Sequence, residues 1–266
     1  SIMSHLTREG SMNVLSLFDG MSCGQIALNC LGIKYDNYFA SEIDKYAIKI
    51  TQKNYPNTRQ LGDVNNINFL KLPKIDLLFA GSPCQDLSHA NNNGKGLYGE
   101  KSKLFFKFIE AKNILKPKHF ILENVTNKYI EEMDKYVGLK GIKINSDFFV
   151  QQNRVRYYWT NIKINTLPKR PDWKGNFYQW RRSYFRQNKS GVSPCLTASI
   201  GGHKIPLKSK NVKDKLSPNE CEALQSVPLN YTDGVSNTRR YSMLGNGWTV
   251  NVISHILQNI KKDLII

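Results

Sequence analysis

The sequence predicts an α/β fold, a doubly wound parallel sheet with a smaller mixed lobe, and three observations carry that prediction. Short apolar runs alternate with helix-length patterns from Asn13 to Asn124, residues able to do chemistry fall at the ends of those runs, and the alternation fades after Trp159. NVLSLF at 13–18 reads as the first strand because branched apolar residues crowd a segment of strand length. A Gly-containing turn leads to a helix from about Gln25 to Leu31, followed by the strand NYFAS at 37–41 and a helix near 44–54. After a turn at LGD (61–63) come the strand IDLLFAG (75–81), a helix from about Ser102 to Leu115, and the strand HFILEN (119–124). Strands separated by helices pair in parallel, since the crossover needs that length of chain.

The chain of 266 residues is long enough for one large core, and the expected layout is a main unit at 12–162, a small lobe at 163–215 and a return at 216–266 that completes the main unit. Residues 1–11, SIMSHLTREGS, have no apolar core of a signal peptide and precede Met12, a natural start, so they read as an expression leader. No apolar run approaches the ~18 residues of a membrane span. The five cysteines (23, 30, 84, 195 and 221) are odd in number and form no CxxC pair, and the five histidines are scattered. That pattern argues against a disulfide framework and a metal site, and it fits a reducing cytoplasm.

A formal charge of +17 points to a polyanionic partner. Its distribution says more: from Lys163 to Lys215 thirteen Lys or Arg face only Asp172 and Asp214, with Trp173, Phe177, Tyr178, Trp180, Tyr184 and Phe185 interleaved. Cations interleaved with aromatics form a nucleic-acid surface.

Ligands of open α/β sheets collect beyond the carboxyl ends of strands, and Asp19, Glu42, Cys84 and Glu123 all fall there. FDGMSCG (18–24) makes a tight turn but lacks the GxGxxG and GxxxxGK[ST] phosphate cradles. Glu42 suits ribose hydroxyls and Asp63 an adenine amino group, so the cofactor is a nucleoside with no required pyrophosphate, which S-adenosylmethionine satisfies. In AGSPCQDLS (80–88) Cys84 stands just off a strand end, presented on a loop, where a thiolate is a strong soft nucleophile. Arg154 and Arg156, folded back to it, would favour the thiolate, and burial of Glu123 behind four apolar residues would raise its pKa and let it donate a proton. Such groups suit cytosine, whose C5 becomes nucleophilic once a thiolate has added at C6.

SLFDGMSCG, SEID, GDV, GSPCQDLS, LENV, QNRVRYYW, KLSPNECEALQSVP (215–228) and LGNGWTV (244–250) occur in this order. With them the chain resembles the cytosine-C5 DNA methyltransferases over nearly its whole length from Asn13. SPCQDLS, GKGLYGEKSKLFFKF, YTDGVSNTRR and the Trp of LGNGWTV are most similar to the animal de novo branch. The resemblance implies a Rossmann-like class I methyltransferase sheet with a target-recognition lobe, S-adenosylmethionine as cofactor and double-stranded DNA as partner. It implies that Cys84 adds to cytosine C6, that Ser82 and Pro83 shape its loop, and that Glu123 binds N3 and the exocyclic amine. Arg154 and Arg156 would hold the base, its phosphate or the thiolate, and Asn124 would support the loop. To the cofactor it assigns Phe18, Asp19, Gly20, Cys23, Glu42, Ile43, Asp63, Val64, Leu104, Asn246 and Trp248. The resemblance further implies that the target cytosine leaves the helix stack and that the segment after Cys84 closes on DNA. Two positions depart from the family pattern: Gly247 replaces a small hydroxyl residue or alanine, and Gln151 replaces a proline before Gln152.

Cys23, Cys30, Cys195 and Cys221 read as structural, and SPCLTASIGGH (193–203) as either a DNA-backbone loop or a hairpin turn. Two other functions fit the same fold. A tRNA cytosine-C5 methyltransferase would carry a Cys-x-Phe-Thr element that this chain lacks, and a non-catalytic accessory protein would have lost Cys84 or Glu123, both of which are present. The abundance of Asn, Lys and Ile resembles AT-rich bacterial or phage genomes, where restriction–modification is the expected setting.

Overall fold

Two layers of buried side chains sandwich one sheet, and the strand sequences show why. In β1 (Asn13–Leu17), Val14 belongs to one apolar cluster while Leu15 and Leu17 belong to the other. β4 (Leu77–Gly81) divides likewise, Leu77 and Phe79 against Leu78 and Ala80, all four fully buried. Strands covered on both faces read as continuous apolar runs, which is how both appear in the sequence. The computed structural model describes residues 12–81, 103–198 and 204–260.

The sheet has seven strands in the order β3-β2-β1-β4-β5-β7-β6. β1, β2 (Asn37–Ser41), β3 (Arg59–Gln60), β4 and β5 (His119–Val125) are parallel, with Leu15 opposite Phe39 and Leu78 opposite Phe120. The chain runs outward from β1 to β2 and β3, then crosses back to β4 on the other side, so the carboxyl ends of β1 and β4 open a crevice at this reversal. The parallel arrangement expected from the alternation holds for these five strands. β7 (Val155–Thr160) departs from it: it runs antiparallel to β5 and to β6 (Ile142–Asn145), because the chain returns through a hairpin-like route and no crossover.

The helices form where the apolar spacing allows them to cover the sheet. α1 (Cys23–Cys30) buries Ile26, Ala27 and Leu28 and packs against α7 (Val250–Leu257), which buries Val252, Ile253, Ile256 and Leu257. α2 (Lys45–Asn54) starts at Asp44, whose side chain accepts from Tyr46 N at 2.8 Å, and buries Ala47, Ile50 and Thr51. α3 (Leu104–Leu115) buries Phe105, Phe108 and Ala111, at helical spacing, on the opposite face, and α4 (Ile130–Val137) adds Met133 and Val137 there. α5 (Pro218–Leu224) opens with a capping box between Ser217 and Glu220 and with Pro218 in its first turn, and α6 (Asn237–Asn246) is capped by Ser236. β8 (Phe177–Trp180) and β9 (Phe185–Asn188) form a separate antiparallel hairpin. No described helix is long and apolar enough to cross a membrane.

Candidate active site

A pocket of about 370 Å³ opens at the carboxyl ends of β1, β2, β4 and β5. One end is built by the loop after β1. Phe18 (φ 58°) and Ser22 (φ 69°) are held in the left-handed region, which costs a non-glycine residue about 1 kcal/mol or more. What holds them is hydrogen bonding: Asp19 N donates to Ser41 O at 3.1 Å and Gly20 N to Glu42 Oε2 at 2.7 Å. Glu42 Oε1 in turn accepts from Ile43 N at 2.8 Å and Asp44 N at 2.9 Å, so three main-chain donors fix this carboxylate at the pocket wall. Asp63 caps a short 3₁₀ turn through Asn65 N at 2.9 Å and also stands on the wall. Between the two acids Ile43 is 75% exposed, an apolar face left open at the pocket.

The other end centres on Glu123, at the end of β5. Its Oε2 accepts from Trp248 Nε1 at 3.0 Å and its Oε1 lies 3.1 Å from Arg156 Nε, so both oxygens are oriented. Trp248 can lie there because residue 81 is glycine: a Cβ on Gly81 would come within 2.7 Å of Trp248 Nε1. The indole also meets Phe79 edge-on at 5.6 Å. Asn124 is buried, its Oδ1 accepting from Val125 N.

Arg154 is only 5% exposed and is bound mainly by main chain: Nη1 donates to Leu196 O at 2.8 Å, and Nη2 to Gly245 O and Gly247 O, both at 2.9 Å. Gln152, fully buried, donates to Leu224 O and accepts from Leu196 N. The 193–198 stretch is thereby fastened to the segment leading into β7, to α5 and to the end of α6. The departure at Gln151 has its own use, since its Nε2 donates to Lys174 O and Gly191 O.

The model of the family C-5 cytosine-specific DNA methylase matches residues 12–170 and 159–262. The chain belongs to the C-5 cytosine-specific DNA methylase family. It is similar to the type II methyltransferase M.Bsp6I of Bacillus sp. (strain RFL6), 31% identical over 96% of this chain and 100% of that protein. It is also similar to the type II methyltransferase M.NlaX of Neisseria lactamica, 27% identical over 85% of this chain and 88% of that one. Its fold matches that of the Entamoeba histolytica methyltransferase EhMeth with a TM-score of 0.69 at 19% identity, covering 96% of this chain and 99% of that one. The activity is methylation of DNA cytosine at C5.

The methylase brings together on one pocket wall Phe18, Gly20, Glu42, Ile43, Asp63, Val64, Leu104, Glu123, Asn124, Arg154, Arg156 and Asn246, which the sequence dispersed over more than two hundred positions. Trp248 reaches the site through Glu123. Asp19 and Cys23 stand behind the loop. Burial, opposed by the hydroxyls of Tyr38, Ser16 and Ser22 close by, pushes the Asp19 carboxyl up to about 6, and burial pushes the Cys23 thiol up to about 12. Cys84, Pro83 and Ser82 lie outside the described residues, as do the segment that follows them and residues 199–203. Ser41, Asn65, Val125 and Met243 also line the pocket. Ser41 and Val125 carried a sequence signal as members of SEID and LENV; Met243 arrives from α6 with none. Among the described residues no group of three or more His, Cys, Asp or Glu is placed to hold a metal ion.

Proposed function

We propose that the pocket holds S-adenosylmethionine at its Glu42 end and a flipped DNA cytosine at its Glu123 end. The observation that carries this reading is the continuity of the pocket: one cavity is lined both by Glu42, Ile43 and Asp63 and by Glu123 and Arg156. The first three suit the cofactor. A fixed carboxylate accepts from ribose hydroxyls, Ile43 offers an uncovered apolar face to the adenine ring, and Asp63 and Val64 take its edge. Phe18, Gly20, Leu104 and Asn246 complete the wall, while Asp19, Cys23 and Trp248 shape it from behind. When bound, the cofactor supplies an electrophilic methyl group on sulfur.

The protein's own groups do the rest. Cys84 Sγ adds to C6 of the cytosine and makes C5 nucleophilic. Glu123, aimed by Trp248 and Arg156, hydrogen-bonds N3 and the exocyclic amine as negative charge builds on the ring. Once C5 carries its methyl group, loss of the C5 proton restores the ring double bond and expels Cys84. Pro83 stiffens the Cys84 loop, Asn124 supports it from β5, and Arg154 holds the 193–198 stretch and the end of α6 in register with Arg156. Extruding the base costs a few kcal/mol, recovered in this pocket.

The basic lobe, residues 163–215, lies on double-stranded DNA through the β8–β9 hairpin, whose exposed tip carries Arg181, Arg182 and Tyr184. The type II names of its bacterial relatives support a modification enzyme of a restriction–modification system, working in the cytoplasm. The test is transfer of labelled methyl from S-adenosylmethionine to plasmid DNA and, separately, to total tRNA. Label on DNA, with none after Cys84→Ala although that variant still binds cofactor, is the expected result; turnover by Cys84→Ala, or label on tRNA alone, overturns the reading.

A further inference from the structure

Arg154, the residue just before β7, and Arg156, within it, stand two residues apart, and their guanidinium charges repel each other. Arg156 is paired with Glu123 on β5; Arg154 is otherwise surrounded by carbonyl oxygens, with the buried phenol of Tyr158 close by. The remaining partner comes from the join between hairpin and main sheet. Cys195 Sγ lies 3.4 Å from Arg154 Nη1 and 3.8 Å from Arg156 Nη2.

We propose that Cys195 is a positioning residue for methyl transfer: its sulfur bridges the two guanidiniums and so fixes the angle at which Arg156 meets Glu123. The inference rests on the role given to Glu123 above. The sulfur is itself well placed for this. Leu196, its neighbour, donates to Gln152 Oε1 at 2.9 Å and accepts from Arg154 Nη1, and the main chain at Thr197 packs so tightly on Gly245 that a Cβ there would come within 2.2 Å of it. The chemistry agrees with the geometry. Burial would push the thiol up, but the two guanidiniums and their hydrogen bonds outweigh it and hold Cys195 below the ordinary thiol range. A sulfur with thiolate character is then the counter-charge that keeps both arginines in place. Cys195 forms no bond with substrate in this scheme; it acts through Arg156 on Glu123, and through Glu123 on the cytosine ring.

The test measures kcat and KM for methyl transfer to DNA, cofactor affinity by calorimetry, and thermal midpoint, for the wild type, Cys195→Ala and Cys195→Ser. Cys195→Ala is expected to lower kcat about tenfold, as removal of an aligning group does, while KM for DNA and cofactor affinity stay within about twofold. Cys195→Ser, which keeps a polar bridge, is expected to return kcat to within about threefold of the wild type. Unchanged kcat in Cys195→Ala, a serine variant no better than the alanine one, or a loss that follows the thermal midpoint and cofactor affinity down would each overturn the proposal. Should Cys195→Ala fail to fold, Cys195→Val fills the same volume without a bridge and takes its place under the same criteria. A wild-type enzyme inactive on DNA, or an active Cys84→Ala, would remove the underlying reading instead.

Discussion

Asp19 shows how one side chain of the loop after β1 is tuned by where the fold puts it. Its Oδ1 accepts from Tyr38 OH at 2.8 Å, while its Oδ2 is buried with no hydrogen-bond partner. Burial raises its pKa from 3.8 to about 6, so the ionised form is penalised in the folded protein. That penalty is absent below about pH 4, grows between pH 4 and 6 and is complete above, amounting to about 2–3 kcal/mol. Thermal melts should show the midpoint of the wild type falling relative to Asp19→Asn as pH rises from about 4.5 to 7; parallel curves would mean the carboxyl titrates normally. At the opposite end of the pocket, Gly81 is defined by what a side chain would displace. Gly81→Ala should push the Trp248 indole off Glu123, lowering kcat about tenfold or more with little change in thermal midpoint. Wild-type turnover in that variant would show that the indole does not aim the carboxylate.

Elements differ in how far their own sequences specify them. β1, β4 and β5 are legible because a strand covered on both faces has to be apolar throughout, and α2 and α5 announce their starts through Asp44 and Ser217. β6 and α4 gave no comparable signal: β6 is IKIN, with one buried residue, and half of α4 is charged. The 193–198 stretch was legible only as either a DNA-backbone loop or a hairpin turn. Its described part is held by Gln152, Arg154 and the end of α6, all three distant from it in the chain. Gly245→Ala forces main chain against main chain, so a loss of about 2–3 kcal/mol is expected, read as a thermal midpoint lower by roughly 5 °C or more. A midpoint within a degree of the wild type would show that the stretch moves aside freely.

Across the whole molecule, the separation of charge from chemistry is the main feature. The carboxylates Glu42, Asp63 and Glu123 line the pocket of the main sheet, while from Trp173 to Lys213 the sequence carries cations and no Asp or Glu. Replacing Arg181, Arg182 and Arg186 with Gln should weaken DNA binding and flatten its dependence on log salt by about one unit for each phosphate no longer neutralised, with cofactor affinity unchanged. An unaltered salt slope would place the DNA elsewhere. The sequence by itself determined the alternation of strands and helices, the acids at the strand ends and the concentration of cations in the 163–215 stretch, because each depends on residues close together in the chain. Tertiary structure alone decided that β7 runs antiparallel, that Glu123 receives the indole of Trp248 from 125 residues away, and that Arg154 is held by Gly245 from 91 residues away. The physical reason is that local pattern fixes which face of a segment is buried, whereas the partner of a polar side chain is whatever the folded chain carries within about 3 Å of it.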